Sequence, residues 1–187
     1  MVEILLTKMN PKSCVLNERA KVTAVQITGY DIAAALSFGQ LSKPAYYFAR
    51  AKYCDDIQAI KKLEEHLIAF IQCEITMNNW PLGEGSIAGI TELVIKEGVY
   101  GVRCKKCKGN GNIYTKHTKL SSIEYCSRCN GSGFGALSQR ERARTADIPL
   151  TTWNRHWERN FQYLLGYVEE LNSQLLRHIN KQFDNLN

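Results

Sequence analysis

Two pairs of cysteines constrain this chain more than any other feature of its sequence. Cys104 and Cys107 form the first pair and Cys126 and Cys129 the second, and eighteen residues separate the inner cysteines. Each two-residue gap lets both sulfurs of a pair face one point, so two such pairs supply the four thiolates of a tetrahedral zinc site. The sequence therefore predicts one structural Zn²⁺ bound by these four residues.

Glycines after each cysteine pair support this interpretation. The pairs lie in CKKCKGNG and CSRCNGSG, so the same Gly-x-Gly follows both. Glycine accepts left-handed backbone, which lets the chain wrap behind each pair and direct amide N–H groups at the sulfurs. A site closed by four protein ligands has no open coordination position for catalysis. We therefore expect no catalytic residues and no enzyme activity.

Between the cysteine pairs, the sequence predicts a β-hairpin. Two β-prone runs, 113–115 and 123–125, flank a polar turn over residues 116–119. His117 lies in that turn and is the competing metal ligand. Because a hairpin tip lies about 10 Å or more from its base, we expect His117 to lie outside the metal site. Residues 101–135 are assigned to this zinc ribbon.

The remaining sequence predicts a mainly α protein: a helical bundle with the inserted four-cysteine zinc ribbon and a helix-turn-helix-like C-terminal part. Residues 1–28 are predicted to be a weakly ordered arm, and residues 29–100 the bundle. Within the bundle we expect a core aromatic stripe in 46–53, although a base-stacking platform has the same composition. Predicted helices run from Thr28 to about Gly39, from Ser42, from Asp55 to about Asn78, and from Ser86.

The helix predicted from Asp55 is the longest of the bundle and is amphipathic. Its apolar face begins at Ile57 and continues at steps of three and four residues. His66, beside Glu65 in a polar run, is predicted to be a surface residue.

Composition limits the class of protein. The chain has 187 residues and 44% hydrophobic content, enough for a core. Its first thirty residues lack the pattern of an export signal, and no apolar run approaches the roughly twenty residues of a membrane span. We expect a cytoplasmic protein in which Cys14, Cys54 and Cys73 are reduced thiols.

Positive charge is concentrated in and after the ribbon. Residues 101–160 hold twelve Lys and Arg against four Asp and Glu, whereas the whole chain has a net charge of +6. Four thiolates and one Zn²⁺ together add about −2, so the region stays basic with metal bound. A solubilising surface would have the same charge. Beside a zinc ribbon, however, this basic segment favours a nucleic-acid partner.

Residues 139–157 have the layout of a helix-turn-helix, and residues 136–187 are assigned to it and to a long C-terminal helix. Ala143 is the small residue where the two helices touch, Asp147 replaces the usual turn glycine, and Trp153 and Trp157 are apolar where the helices must pack. A helix starting at Thr151 or Thr152 would present polar side chains to a major groove. An ordinary helical hairpin with a basic surface is the alternative.

The candidate DNA-binding residues fall into two groups. Asn154 and Arg155 are predicted base readers, with Thr151 and Glu158 beside them, whereas arginines on both helices are placed for phosphates. Apolar residues from Phe161 to Ile179 then predict a long helix that packs on the bundle, self-association being the alternative. The full set of predicted DNA contacts is Arg140, Arg142, Arg144, Thr151, Thr152, Asn154, Arg155 and Arg159, with Lys105, Lys106 and Lys108 as candidate phosphate contacts.

Three stretches resemble the lambdoid phage late-gene antitermination protein Q family. They are GVRCKKCKGNG, YCSRCNGSG and IPLTTWNRHWERNFQYLLGYVEELN, with a fainter likeness in TGYDIAAALSFGQ. The resemblance implies a regulator that binds double-stranded DNA near a late promoter and joins bacterial RNA polymerase at its sigma subunit and β flap. The resemblance further implies that the polymerase then transcribes through terminators. It implies action in the host bacterial cytoplasm, with no membrane and no small-molecule substrate.

Two other classes share some of these features. An ordinary zinc-containing transcriptional activator would use every residue named above. The cysteine knuckles also resemble the zinc region of DnaJ chaperones, which would make this a chaperone or thiol module. That region carries four CxxCxGxG repeats, whereas this chain has two and lacks the acidic His-Pro-Asp helical module.

Overall fold

The computed structural model describes residues 41–81, 86–117 and 120–184. The predicted arm, the predicted helix from Thr28 to Gly39 and Cys14 lie outside these residues. The protein is mainly helical, as predicted, with a small β part. Helices are α1 (Lys43–Cys54), α2 (Ile57–Asn78), α3 (Ser86–Val94), α4 (Gln139–Thr145), α5 (Leu150–Thr152) and α6 (Glu158–Asp184), and strands are β1 (Val102–Arg103), β2 (Asn112–His117), β3 (Leu120–Tyr125) and β4 (Phe134–Gly135).

Among the described residues, two π-helical turns interrupt this helical pattern. Ile95–Val99 follows α3 directly, and Trp153–Trp157 joins α5 to α6. Such turns are rare and often occur at functional sites. Among the helices in the described part of the chain, none has both the length and the apolarity of a membrane span.

Local sequence signals set the start and end of α1 and the start of α2. Ser42 precedes α1 and Pro44 lies in its first turn, as predicted, and Asp55 ends the helix in left-handed conformation at φ 50°. The carboxylate of Asp56 then accepts hydrogen bonds from the backbone N–H groups of Gln58 and Ala59, at 2.9 and 3.2 Å. This is the side-chain cap that a helix start requires, and it begins α2 within two residues of the predicted position.

The described residues form two compact units. The first contains those up to Phe70 and from Gly166 onward, where the second half of α6 packs on α1 and α2. Tyr53 donates a hydrogen bond to Asn172 at 3.4 Å, and the rings of Phe70 and Tyr167 stack 3.9 Å apart. The buried apolar core of this unit includes Phe48, Ala59, Leu63, Leu67, Val168, Leu171, Leu175 and Ile179.

Two predictions for α2 were wrong. Ile57 is exposed, because the buried face follows Ala59, Leu63 and Leu67 at four-residue steps and Ile57 lies about 120° around the helix from Leu63. His66 is not a surface residue: it is half-buried, and its Nε2 lies 2.6 Å from the Tyr167 hydroxyl. Burial lowers the pKa of His66.

The second unit spans Ile71–Leu165 and has its own core. Trp153 and Trp157 are fully buried, and the Trp157 indole N–H donates to the Pro81 carbonyl at 2.8 Å. A Cβ on Gly89 would lie 2.4 Å from the Thr145 carbonyl oxygen. Glycine therefore allows α3 to approach the end of α4 closely.

Two short antiparallel pairings build the β part of this unit. In the hairpin, Ile113 of β2 lies opposite Glu124 of β3, which confirms the predicted hairpin. Its strands extend further than predicted, so residue 117 ends a strand and does not lie in the turn. The pairing of β1 with β4, with Arg103 opposite Phe134, joins the first and last residues of the ribbon and was not predicted.

Candidate metal centre and nucleic-acid interface

The structure brings the four predicted cysteines together. Their sulfur atoms all lie within 4.8 Å of one another. The Sγ atoms of Cys104 and Cys126 are 3.9 Å apart, and those of Cys107 and Cys129 are 3.7 Å apart. A tetrahedral site with Zn–S bonds of about 2.3 Å requires sulfurs about 3.8 Å apart. The four thiols therefore have the spacing to bind a metal ion such as zinc.

The two knuckles brace each other in a nearly symmetric way. The backbone N–H of Cys104 donates to the Gly133 carbonyl at 2.8 Å, and that of Cys126 donates to the Gly111 carbonyl at 2.7 Å. Gly111 also directs its own N–H at the Cys107 sulfur, 3.3 Å away. The prediction that glycine amides point at the sulfurs is confirmed for this residue.

Glycine is needed in the knuckles for a second reason. Gly111 has φ 73°, and a Cβ there would lie 2.2 Å from the Gly131 carbonyl oxygen. Gly133 has φ 76°, and its Cβ would lie 2.3 Å from the Gly109 carbonyl oxygen. Each Gly-x-Gly thus combines left-handed backbone with a close approach of the opposite knuckle.

The cysteine environment favours the charged ligand form. Cys104 is buried, and hydrogen bonding from the backbone of Cys107 lowers the pKa of its thiol to about 6. Thiolate is the form that binds metal, so this hydrogen bonding assists coordination near neutral pH. The side chain of His117, the competing ligand in the sequence, is outside the described side chains.

Helix α4 begins and ends with well-formed caps. Glu141 donates its backbone N–H to the Ser138 hydroxyl at 3.3 Å, and its carboxylate accepts from the Ser138 N–H at 3.0 Å. The Ser-x-x-Glu spacing is the sequence signal for this capping box, and it marks the helix start more sharply than apolar spacing does. At the other end, Ile148 donates its N–H to the Ala143 carbonyl at 2.9 Å.

Asp147 occupies the one left-handed position in the turn after α4. Its φ is 53°, and its N–H donates to the Arg144 carbonyl at 3.3 Å. With the bond from Ile148 to Ala143, this makes a Schellman motif, in which glycine is usual. Aspartate is among the few other residues that tolerate this conformation. The turn therefore forms without glycine, and the next helical segment starts at Leu150.

Most predicted DNA-binding side chains lie on the exposed side of these helices. Arg140 and Arg144 are exposed on α4, and Thr151, Asn154, Arg155 and Arg159 are exposed beyond the turn, whereas Thr152 is half-buried. Trp153 and Trp157 face the core from the same segment. Within residues 41–81, 86–117 and 120–184, the four exposed arginines form no ion pair with an acidic group.

The prediction that Arg142 contacts phosphate was wrong. Its guanidinium is buried and makes a two-bond contact with the Glu97 carboxylate, at 2.8 and 2.7 Å. It also donates to Glu158 at 3.3 Å. Arg142 lies about 200° around α4 from both Arg140 and Arg144, so it points inward where they point outward.

Glu158 likewise does not face a groove as predicted. One carboxylate oxygen accepts from Arg142, and the other accepts from the Trp153 indole N–H at 3.0 Å. Sequence patterns do not reveal this cluster, because Glu97 lies 45 residues from Arg142. The cluster joins α4, the π-helical turn after α3 and the start of α6.

The ribbon lysines differ in their contacts. Lys105 pairs with Glu141, and that ammonium is the main reason why the pKa of Glu141 is lowered to about 2, with the Ser138 cap contributing. Lys106 donates to the Ser127 hydroxyl at 2.7 Å. Lys108 is exposed at the tip of the first knuckle. The Lys105 contact ties the first knuckle to the start of α4.

Neither a protein-family model nor a curated protein matches the chain.

Proposed function

We propose that this protein is a zinc-containing transcription factor that binds double-stranded DNA through α4, the turn after it and the segment beginning at Leu150, as a helix-turn-helix. One observation carries the proposal: polar and cationic side chains on the outer face of this segment are exposed, while Trp153 and Trp157 anchor its inner face. Recognition of a duplex by a helix-turn-helix requires a helix held rigidly by its inner face, with long polar side chains free on the outer one.

The exposed residues divide into two roles. Arg155 suits bidentate hydrogen bonding to a guanine edge, and Asn154 suits an adenine edge, so these two would read sequence. Arg140, Arg144 and Arg159 would contact phosphates and position the helix. Their lack of acidic partners within the described residues leaves these guanidinium groups available, and no ion pair would have to be broken on binding.

One structural Zn²⁺ bound by the four cysteines would supply the stability of the ribbon. The ribbon has two sheets of two strands each and a small buried cluster in which Ile113 packs on the cysteines. So small a module generally needs metal binding to fold. Through the contact between Lys105 and Glu141, the zinc-bound knuckle would also hold the start of α4 in place.

Among DNA-binding transcription factors, we place this protein with the antitermination factors. The support is the resemblance of the knuckle sequences and of residues 148–172 to the Q family. Such a factor would bind near a late promoter, join bacterial RNA polymerase at the sigma subunit and β flap, and permit terminator readthrough. Its site of action would be the bacterial cytoplasm.

Duplex binding is tested by measuring affinity for the preferred site and for scrambled DNA at fixed salt. Arg155→Ala is expected to weaken specific binding by about 1–3 kcal/mol and to reduce the preference for the site, whereas Arg140→Ala weakens all sequences alike. Arg177→Ala, which removes an exposed arginine that pairs with Glu170 within α6, is the charge-matched control. Equal losses from Arg155→Ala on both DNAs would remove Arg155 from base reading.

A measurement of terminator readthrough distinguishes an antitermination factor from an ordinary transcriptional activator. Transcription in vitro with purified RNA polymerase, on a template with the binding site, promoter and a downstream terminator, should show more terminator-passing transcript when the protein is added. Specific DNA binding with increased initiation and unchanged readthrough would instead identify an ordinary activator.

Metal analysis separates a structural zinc site from a thiol module. We expect one zinc per chain, lost together with the fold in Cys126→Ser, because three remaining thiolates leave the tetrahedral site incomplete. Thiols that cycle between oxidised and reduced forms without bound metal would support the chaperone or redox class.

A further inference from the structure

We propose that the ribbon carries a second nucleic-acid site, which binds single-stranded RNA or DNA by stacking bases on Tyr125 and Phe134. We use the name ring surface for the exposed large apolar residues in the described part of the ribbon, which are Ile123 and Tyr125 on β3 and Phe134 on β4. It is distinct from the α4–α5 face of the proposed duplex site, and it does not depend on duplex binding.

The three apolar side chains are exposed to an unusual degree. The exposed fraction is 81% for Tyr125, 63% for Ile123 and 56% for Phe134. Ile123 and Tyr125 are two residues apart on β3, so they share one face of the hairpin. Ile113 points to the other face, since it lies opposite Glu124, and it packs on the cysteine cluster. The hairpin thus has an inner face at the metal centre and an outer face with uncovered apolar groups.

Both aromatic rings are supported on one side by glycine backbone. A Cβ on Gly131 would lie 2.9 Å from a ring carbon of Tyr125, and one on Gly101 would lie 2.9 Å from a ring carbon of Phe134. The rings rest where a side chain on the glycine would otherwise be. A ring held in this way loses little conformational freedom on binding, and its exposed part is available to a ligand.

The positive charge of the ribbon indicates which kind of ligand the ring surface binds. Residues 101–135 contain seven Lys and Arg but one acidic residue, so the ribbon stays positive even after the roughly −2 that a zinc–tetrathiolate centre adds. Arg103 is exposed and lies opposite Phe134 in the β1–β4 pairing, and Arg128 is exposed three residues after Tyr125.

Single-stranded nucleic acid satisfies both features of this surface. Unpaired bases stack on exposed rings while the cations neutralise the phosphates beside them. A duplex offers no free base faces, since its bases already stack on one another. A neutral apolar protein segment would cover the rings and leave the surrounding positive charges unpaired.

The test measures binding of fluorescently labelled twelve-nucleotide oligouridine and oligothymidine to the zinc-loaded full chain by anisotropy. Tyr125→Leu keeps an apolar side chain but removes the ring, and it is expected to weaken binding about five- to a hundredfold. Tyr125→Phe keeps the ring and should bind like the wild type. The two oligonucleotides distinguish an RNA from a DNA ligand.

Three controls make the result specific. Arg155→Ala should weaken duplex binding and leave single-strand binding unchanged, so failure of one site does not imply failure of the other. Zinc content and circular dichroism report whether Tyr125→Leu is folded, and Phe134→Leu provides a second variant if it is not.

Wild-type single-strand affinity in both Tyr125→Leu and Phe134→Leu would overturn the proposal. If those variants also lost function with RNA polymerase, the ring surface would be a protein contact. Equal loss of affinity in Tyr125→Phe and Tyr125→Leu would likewise exclude stacking as the source of binding.

Discussion

Replacing Arg142 by methionine should lower the free energy of unfolding by about 3–5 kcal/mol, because it leaves a buried carboxylate without its partner. The exposed side-chain fraction is 7% for Arg142 and 6% for Glu97. Two short hydrogen bonds join them, and Arg142 also lies over the Phe161 ring, 5.0 Å from its centroid. Methionine can fill part of this space, but it cannot compensate the charge of Glu97.

The size of the effect follows from the asymmetry of buried ion pairs. Removing one partner exposes the full desolvation cost of the other, whereas replacing both partners with apolar side chains is often nearly neutral. The double variant Arg142→Met, Glu97→Met should therefore be more stable than Arg142→Met alone. Arg144→Met, on the exposed side of the same helix, should change stability by less than about 0.5 kcal/mol.

Urea unfolding of the zinc-loaded full chain, with zinc content checked for each variant, measures these differences. Duplex DNA affinity of the folded variants is the second measurement. If Arg142→Met were as stable as Arg144→Met and bound DNA more weakly, Arg142 would be a phosphate contact after all. The buried ion cluster would then have no structural role.

Three further predictions concern glycine and pH. Gly166→Ala should raise the free energy of unfolding by about 1 kcal/mol, because its Cβ would meet nothing within 4 Å and alanine favours the helix; a lower melting temperature would contradict this. Gly111→Ala should weaken zinc binding in a chelator competition. Gly135→Ala should not, because a Cβ on Gly135 would lie 3.7 Å from its nearest neighbour, the Cα of Cys104. Similar losses of zinc affinity in both variants would refute the explanation that the two knuckles interlock through glycine. The pKa of Glu141 is lowered to about 2, so its carboxylate stabilises the fold above the ordinary glutamate pKa and loses that effect as the pH falls towards 2. NMR at pH 4.5 should find the Glu141 carboxyl group ionised. A half-protonated carboxyl group at that pH would be evidence against the Lys105 contact.

Helical periodicity predicted most of the secondary structure because its causes are local. Pro44 in the first turn of α1, the cap at Asp56 and the breaker at Trp80-Pro81 lie within a few residues of the helix ends that they set. Burial was less predictable. Ile57 and His66 both belong to α2, yet the burial of each depends on which face of the helix meets α6. If that face is rotated around the helix, Ile57 becomes exposed and His66 becomes partly buried.

The candidate metal site could be predicted from the sequence alone. Its causes are local, since the two-residue gap within each cysteine pair and the left-handed turn after it fix the direction of each sulfur over a few bonds. Only the tertiary structure decided the role of Arg142. Three arginines at 140, 142 and 144 look equivalent in a sequence, but a helix turns about 100° per residue and places the middle one inside. There it meets Glu97, which the fold brings from 45 residues away. The tertiary structure also decided that Tyr125 and Phe134 are exposed. The buried cluster inside the ribbon consists of the cysteines with Ile113 packed against them.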